Sequence, residues 1–168
     1  MNKLLISAGA LAALALGNPA LAATSNQATG HATVNIVSPL TLTKVNGTNL
    51  DFGTIVGPFN GEVIEVTSAG TRLPCPATVT CSGATVGAAQ FTVTGTPSQN
   101  LQLTVDPSVT LTGPGTSMTV DLTTDLPGAL STDASGNAAF GIGGQLTIPA
   151  GEADGVYGGD FAVQVDYQ

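Results

Sequence analysis

The chain has no tryptophan, a single histidine, two cysteines and only three lysine or arginine residues, and each scarcity removes a class of function. Without tryptophan the strongest stacking platform for a sugar is missing. The lone histidine, His31, stands in the polar run Thr29-Gly30-His31-Ala32. A serine or cysteine nucleophile elsewhere therefore lacks a general base, and a zinc site lacks its ligand set. Three cations face 11 Asp and Glu, a formal charge of −8, which makes nucleic acid and anionic membranes poor partners. Charged residues of both signs amount to 8% of the chain, against roughly 25% in an ordinary soluble domain, so Thr, Ser, Asn and Gly must cover the surface.

Long apolar runs are also scarce. The single one, residues 4–16, follows the basic start Met1-Asn2-Lys3 and precedes Asn18-Pro19 and Ala20-Leu21-Ala22. This is the pattern of a secretory signal peptide over residues 1–22 with an A-x-A cleavage site, and the run is short for a membrane span. Its removal takes away Lys3 and leaves Lys44 and Arg72 against the 11 acids, a formal charge of −9. The expected product is an exported chain, in the periplasm in transit and then at the cell surface or outside the cell, with no membrane span. In an oxidising compartment the close pair Cys75 and Cys81 is expected to form a disulfide. Residues 23–31 are small and polar and read as a flexible arm, and residues 32–168 as one domain.

What is present in quantity is alternation. Apolar residues make up 42% of the chain, with 22 Gly and 10 Pro punctuating them. Short period-2 runs recur between turn residues: Ala32-Val34-Ile36, Leu40-Leu42, Leu50-Phe52, residues 63–66 and 78–80, Phe91-Val93 and Leu101-Leu103-Val105. Val109-Leu111, Met118-Val120-Leu122, Phe140-Ile142, Leu146-Ile148 and a final strand with Phe161, Val163, Val165 and Tyr167 complete the series. Such spacing with no helical period predicts an all-β, antiparallel sandwich, with a closed barrel as the alternative. Pro39 lacks an amide hydrogen and is expected to separate a strand at residues 33–37 from one at residues 40–44.

No constellation suited to catalysis emerges. Asp121, Asp125, Asp133, Glu152, Asp154 and Asp160 lie in or beside polar turns, where solvation accounts for them, and no acid and base are set apart in contrasting surroundings. Glu152-Ala-Asp154 and Asp160 are potential calcium ligands, but the patterned acidic loop of a dedicated calcium site is absent and a solvated turn is the simpler reading. Asn46-Gly-Thr48 reads as a turn rather than a glycosylation site, and Gly141-Ile-Gly143-Gly144 opens no helix and so is no phosphate loop. No enzyme activity, cofactor or metal is expected.

The runs Ile36-Val-Ser-Pro39-Leu40-Thr-Leu42-Thr-Lys44, Leu50-Asp51-Phe52-Gly53 and Gly87-Ala-Ala-Gln-Phe91-Thr-Val-Thr-Gly95 resemble an exported bacterial family, Domain of Unknown Function 4402. So do Gly144-Gln-Leu146-Thr-Ile-Pro149-Ala-Gly151 and Gly155-Val-Tyr157-Gly-Gly-Asp-Phe161. That family name carries no activity. A weaker resemblance is to archaic chaperone-usher pilins related to spore coat protein U. Their last strand carries alternating apolar residues, a penultimate aromatic and a glycine fourteen residues from the end, matched here by Phe161, Val163, Val165, Tyr167 and Gly155.

That second resemblance implies an all-β, antiparallel immunoglobulin-like sandwich that is incomplete and is completed by a strand from a neighbouring subunit, with a periplasmic chaperone and an outer-membrane usher as assembly partners. Ala32, Val34 and Ile36 share one face behind the arm and are the expected donor strand. Gly155, Phe161, Val163, Val165 and Tyr167 are the expected groove or chaperone-binding strand. The expected function is a non-enzymatic subunit of a pilus-like surface filament. The alternative is a monomeric secreted or envelope-attached binding or adhesion module whose first strand pairs with its own last strand.

Overall fold

The computed structural model describes residues 27–83, 85–124, 126 and 129–168; the expected leader and the first part of the arm lie outside them. Residues 36–168 form one compact unit, and residues 27–35 belong to a separate one, exposed and without strand. Among the described residues every regular element is a strand. In chain order these are β1 Thr41–Lys44, β2 Thr54–Val56, β3 Glu62–Val66, β4 Thr80–Ser82, β5 Ala89–Thr94 and β6 Asn100–Val105. They continue with β7 Ser108–Leu111, β8 Met118–Thr124, β9 Leu130–Ser131, β10 Asn137–Ile148 and β11 Val163–Tyr167.

All pairings are antiparallel, and the all-β sandwich expected from the alternation is the observed architecture. The larger sheet runs β1-β5-β10-β8-β7, with β3 also on β10; a second runs β11-β6-β9, and β2 pairs with β4. Ile142 faces both Ala89 of β5 and Thr124 of β8, while Gly144 faces both Val66 of β3 and Leu122 of β8. Strands β5 and β3 therefore follow one another along the same edge of β10, and β8 occupies the other.

The alternating residues bury as their parity requires. Ile64, Val66, Val120, Leu146 and Ile148 form one part of the core, and Val93, Leu101, Phe140 and Ile142 the other; Leu50, Leu122 and Phe161 pack against both. Phe91 and Phe140 are directly opposed across β5 and β10 and stack with ring centroids 5.4 Å apart, a geometry that adds to area burial alone.

Several expectations are corrected. Residues 33–37 form no strand, and residues 40–44 are realised as β1 from Thr41. The expected strand at 78–80 lies two residues later, in β4, because residues 77–78 turn. Leu50-Phe52 contributes only a bridge, Asp51 to Gly87. The separate strands at Phe140-Ile142 and Leu146-Ile148 are one continuous β10. Asn46 and Gly47 form the expected turn, with Gly47 at φ +78°.

The Cys75–Cys81 disulfide is present, with Cα atoms 6.3 Å apart. It ties β4 to the segment entering it, and Cys81 faces Ile55 of β2. Both cysteines pack against the core part that contains Val79 and Phe52. Replacing both by serine should lower unfolding free energy by about 2.4 kcal/mol on the loop-closure account. Urea titration of the variant against the oxidised and the reduced parent checks this; a variant as stable as the oxidised parent would contradict it.

A candidate assembly groove

Among the described residues strand β11 hydrogen-bonds to β6 on one side alone, and β1 to β5 on one side alone. Each is thus the edge of its own sheet, with a row of backbone donors and acceptors outside the ladders. Unprotected edges of this kind are templates for pairing with another chain. Period 2 sends Leu40 and Leu42 of the β1 region, and Phe161, Val163, Val165 and Tyr167 of the β11 region, toward the same part of the core. All six are only half-buried, whereas Val93 and Ile142 beneath them are 0% exposed. Among the described residues, the inner side chains of these two edges therefore have core on one side and no covering strand on the other.

A cavity of about 620 Å³ opens along this seam, floored by Leu42, Leu50, Ala89, Phe91, Phe161 and Val163. Its rim is polar, with Lys44, Asn49 and the loop 158–160. Lys44 donates through Nζ to Asn49 Oδ1, which keeps its charge at the rim. At the other end of β11 the Tyr167 hydroxyl donates to the Ser38 carbonyl (2.8 Å) and accepts from the Thr96 amide (2.7 Å). The groove is thus wide beside Phe161 and closed beside Tyr167.

Of the residues singled out in the sequence, Phe161 and Val163 line the cavity, and Val165 and Tyr167 continue the same face. Gly155 does not belong to the groove; it lies in the β10–β11 loop, where a Cβ would meet Pro114 Cδ at 2.8 Å. The expected donor residues carry no strand, and Val34 and Ile36 are 82% and 84% exposed. His31 is exposed. Leu42, Leu50 and Phe91 were legible as strand positions, but only the sheet order places them at the seam.

The Glu152 loop is also more than a solvated turn. Glu152 is half-buried, and its Oε1 accepts from the Tyr157 hydroxyl (2.8 Å), the Thr116 amide (2.7 Å) and the Ala153 amide (3.2 Å). Tyr157 in turn accepts from the Gly115 amide at 2.9 Å. The pair stitches the β7–β8 turn to the β10–β11 loop, which carries the groove rim. Bonding to Tyr157 and these amides holds the Glu152 carboxyl below the ordinary 4.5, while partial burial and the neighbouring carboxylate push the Tyr157 phenol above 10.0. Asp133 is lowered similarly by the Asn137 and Ser135 amides.

The stability supplied by the two carboxylates is fully present above their unfolded values and is lost as pH falls through their lowered folded values. That from Tyr157 is present below pH 10.0 and lost as pH rises past it. Thermal midpoints should therefore hold steady near neutrality and fall on both sides, and Glu152→Gln should lower the neutral midpoint while flattening the acid fall. An unchanged acid slope in that variant would refute the assignment.

Residues 40–167 match the family described as Domain of unknown function (DUF4402). The chain belongs to this family. The match begins at the residue before β1 and ends at the last residue of β11, so this DUF4402 domain includes both edges and excludes residues 32–36, the expected donor. No curated protein and no solved structure matches the chain. Among the described residues no helix is long and apolar enough to cross a membrane.

Proposed function

We propose that this chain is an exported structural subunit that assembles by strand donation. The arm of one copy, carrying Ala32, Val34 and Ile36, enters the seam between β1 and β11 of the next. The observation that supports this most strongly is, among the described residues, the pair of open edges over a half-buried apolar floor together with an alternating segment that joins no ladder. An added strand supplies the missing backbone partners of β11, and its alternate side chains cover Phe161, Val163 and Leu42. Because donor and acceptor are different surfaces, the contact is heterologous and propagates as a filament.

On this reading the subunit is carried through the periplasm, where a chaperone shields the groove and an outer-membrane usher passes it on, and it ends at the cell surface. Its partners are copies of itself or related subunits, and it takes no cofactor and performs no catalytic step.

The test is a denaturing gel of native surface extract, heated and unheated, probed for this protein. The expected result is a ladder of evenly spaced multimers that collapses to monomer only on boiling. A single monomer band in both lanes would overturn the proposal in favour of a self-contained adhesion module.

A further inference from the structure

A donor segment and a groove carried by the same chain raise the question of what stops the one from filling the other. The structure places an unusual concentration of bonds where the arm leaves the sandwich. Continuing the register of Thr41 opposite Thr94 sets residues 38–40 alongside residues 95–97. There the Ser38 amide donates to Thr96 Oγ1 (2.6 Å) and the Ser38 carbonyl accepts from Tyr167 Oη. Thr96 is itself fixed: its amide donates to Tyr167 Oη, and its carbonyl accepts from Thr132 Oγ1 at 2.7 Å. Thr132 is one of the buried polar residues, 4% exposed. Gly95 admits the tyrosine, since a Cβ there would collide with the Tyr167 hydroxyl.

Both backbone polar groups of Ser38 are thus committed, and Pro39 follows. Proline restricts the residue before it to extended conformations. For the arm to turn back along β1 into the groove, Ser38 and Pro39 would have to form the centre of a tight hairpin turn. The favoured hairpin turns need positive φ at the first central residue or at both, which a proline cannot adopt and a serine adopts poorly. A reversal placed earlier would consume Val37 and Ile36 in the turn and lose the largest donor side chain.

We propose that Tyr167, acting through Ser38 and Pro39, is a positioning residue that fixes residues 38–40 as an extension of β1 and so bars the arm from reversing into its own groove, leaving that groove to a second copy. This rests on the groove reading above, and the experiment separates the two. The chain from Ala23 is kept dilute enough to be monomeric, and its melting temperature is compared with that of Val34→Asp/Ile36→Asp, which disables the arm. The comparison is repeated in a Ser38→Asn/Pro39→Gly/Tyr167→Phe background, where Asn-Gly favours a hairpin turn. A synthetic peptide of residues 28–37 is the probe in trans.

The peptide is expected to raise the melting temperature of both parent and arm-disabled chain by about 5 °C or more. In the parent background the intact arm adds nothing. In the triple variant it adds a comparable shift, and multimers disappear. The shift is read within each background, so any general destabilisation by the substitutions cancels. A peptide response together with an arm contribution already present in the parent would overturn the clamp and spare the groove. A peptide response with no arm contribution in either background would also overturn the clamp. Absence of any peptide response would overturn both.

Discussion

Valine in place of Gly143 should remove about 3 kcal/mol or more of stability, at the upper end of what overpacking costs and a large part of what a domain of this size has. Gly143 lies in β10 on the face away from Phe140 and Ile142, yet it is buried, because residues 66–68 cross directly over it. A Cβ there would meet the Val66 carbonyl oxygen and approach Ser68 N at 2.6 Å. Neither obstacle is the yielding end of a side chain. Both are backbone, anchored by pairing of Val66 with Gly144 and by the bond from Gln90 Nε2 to the Ser68 carbonyl at 2.9 Å. Gly158→Ala is the control, since nothing lies within 4 Å of a Cβ at that position. Urea midpoints decide: the control should stay within about 0.5 kcal/mol of the parent, and a Gly143→Val chain that also did so would show that the crossing is loose.

Ile36→Asp should abolish assembly and leave the monomer intact. Ile36 is 84% exposed in the single chain, so the substitution removes no contact with the folded core, and monomer stability should move by less than about 0.5 kcal/mol. In the assembled form the same position would be covered. There the loss of a buried aliphatic side chain, about 1.5–3 kcal/mol, adds to the desolvation of a carboxylate. Together these exceed about 3 kcal/mol, a reduction of at least 100-fold in association. Asn35→Asp places the same charge on the opposite parity, where it would face solvent, and should leave assembly close to normal. Heated and unheated gels of the two variants read this directly. Multimers of Ile36→Asp at parental yield would eliminate the donor assignment.

Much of the fold was legible because burial on one face imposes period 2 regardless of what the strand pairs with. Val93, Leu101, Val120 and Ile142 all carried that mark and all are buried. Features set by contacts distant in sequence were not legible. Gly143 and Gly144 looked like a break between two strands, since the reason for them, a chain crossing from residues 66–68, has no local trace.

The alternation at Ala32, Val34 and Ile36 was just as clear as that at Phe161, Val163 and Val165, but among the described residues only Val163 and Val165 of these six lie in a ladder. Periodicity reports that a segment can be a strand, not that one is beside it. Glu152 looked like any acidic turn residue because its partners Tyr157 and Thr116 are brought to it by two different loops. The seam followed from the order of strands within each sheet, which alternation does not encode.

β10 is the hub of the larger sheet, shared by β3, β5 and β8, and it is also the second-last strand to be synthesised. Until residues 137–148 are available, β3 has no ladder to join and β5 holds only β1. Among the described strands β3 must wait unpaired, and β5 with one edge open, for a partner far along the chain. Sheets closed by such distant pairings form slowly and expose their edges meanwhile. The chain is therefore expected to complete folding only once residues 137–148 are available, and to spend the interval as an intermediate with open, aggregation-prone edges.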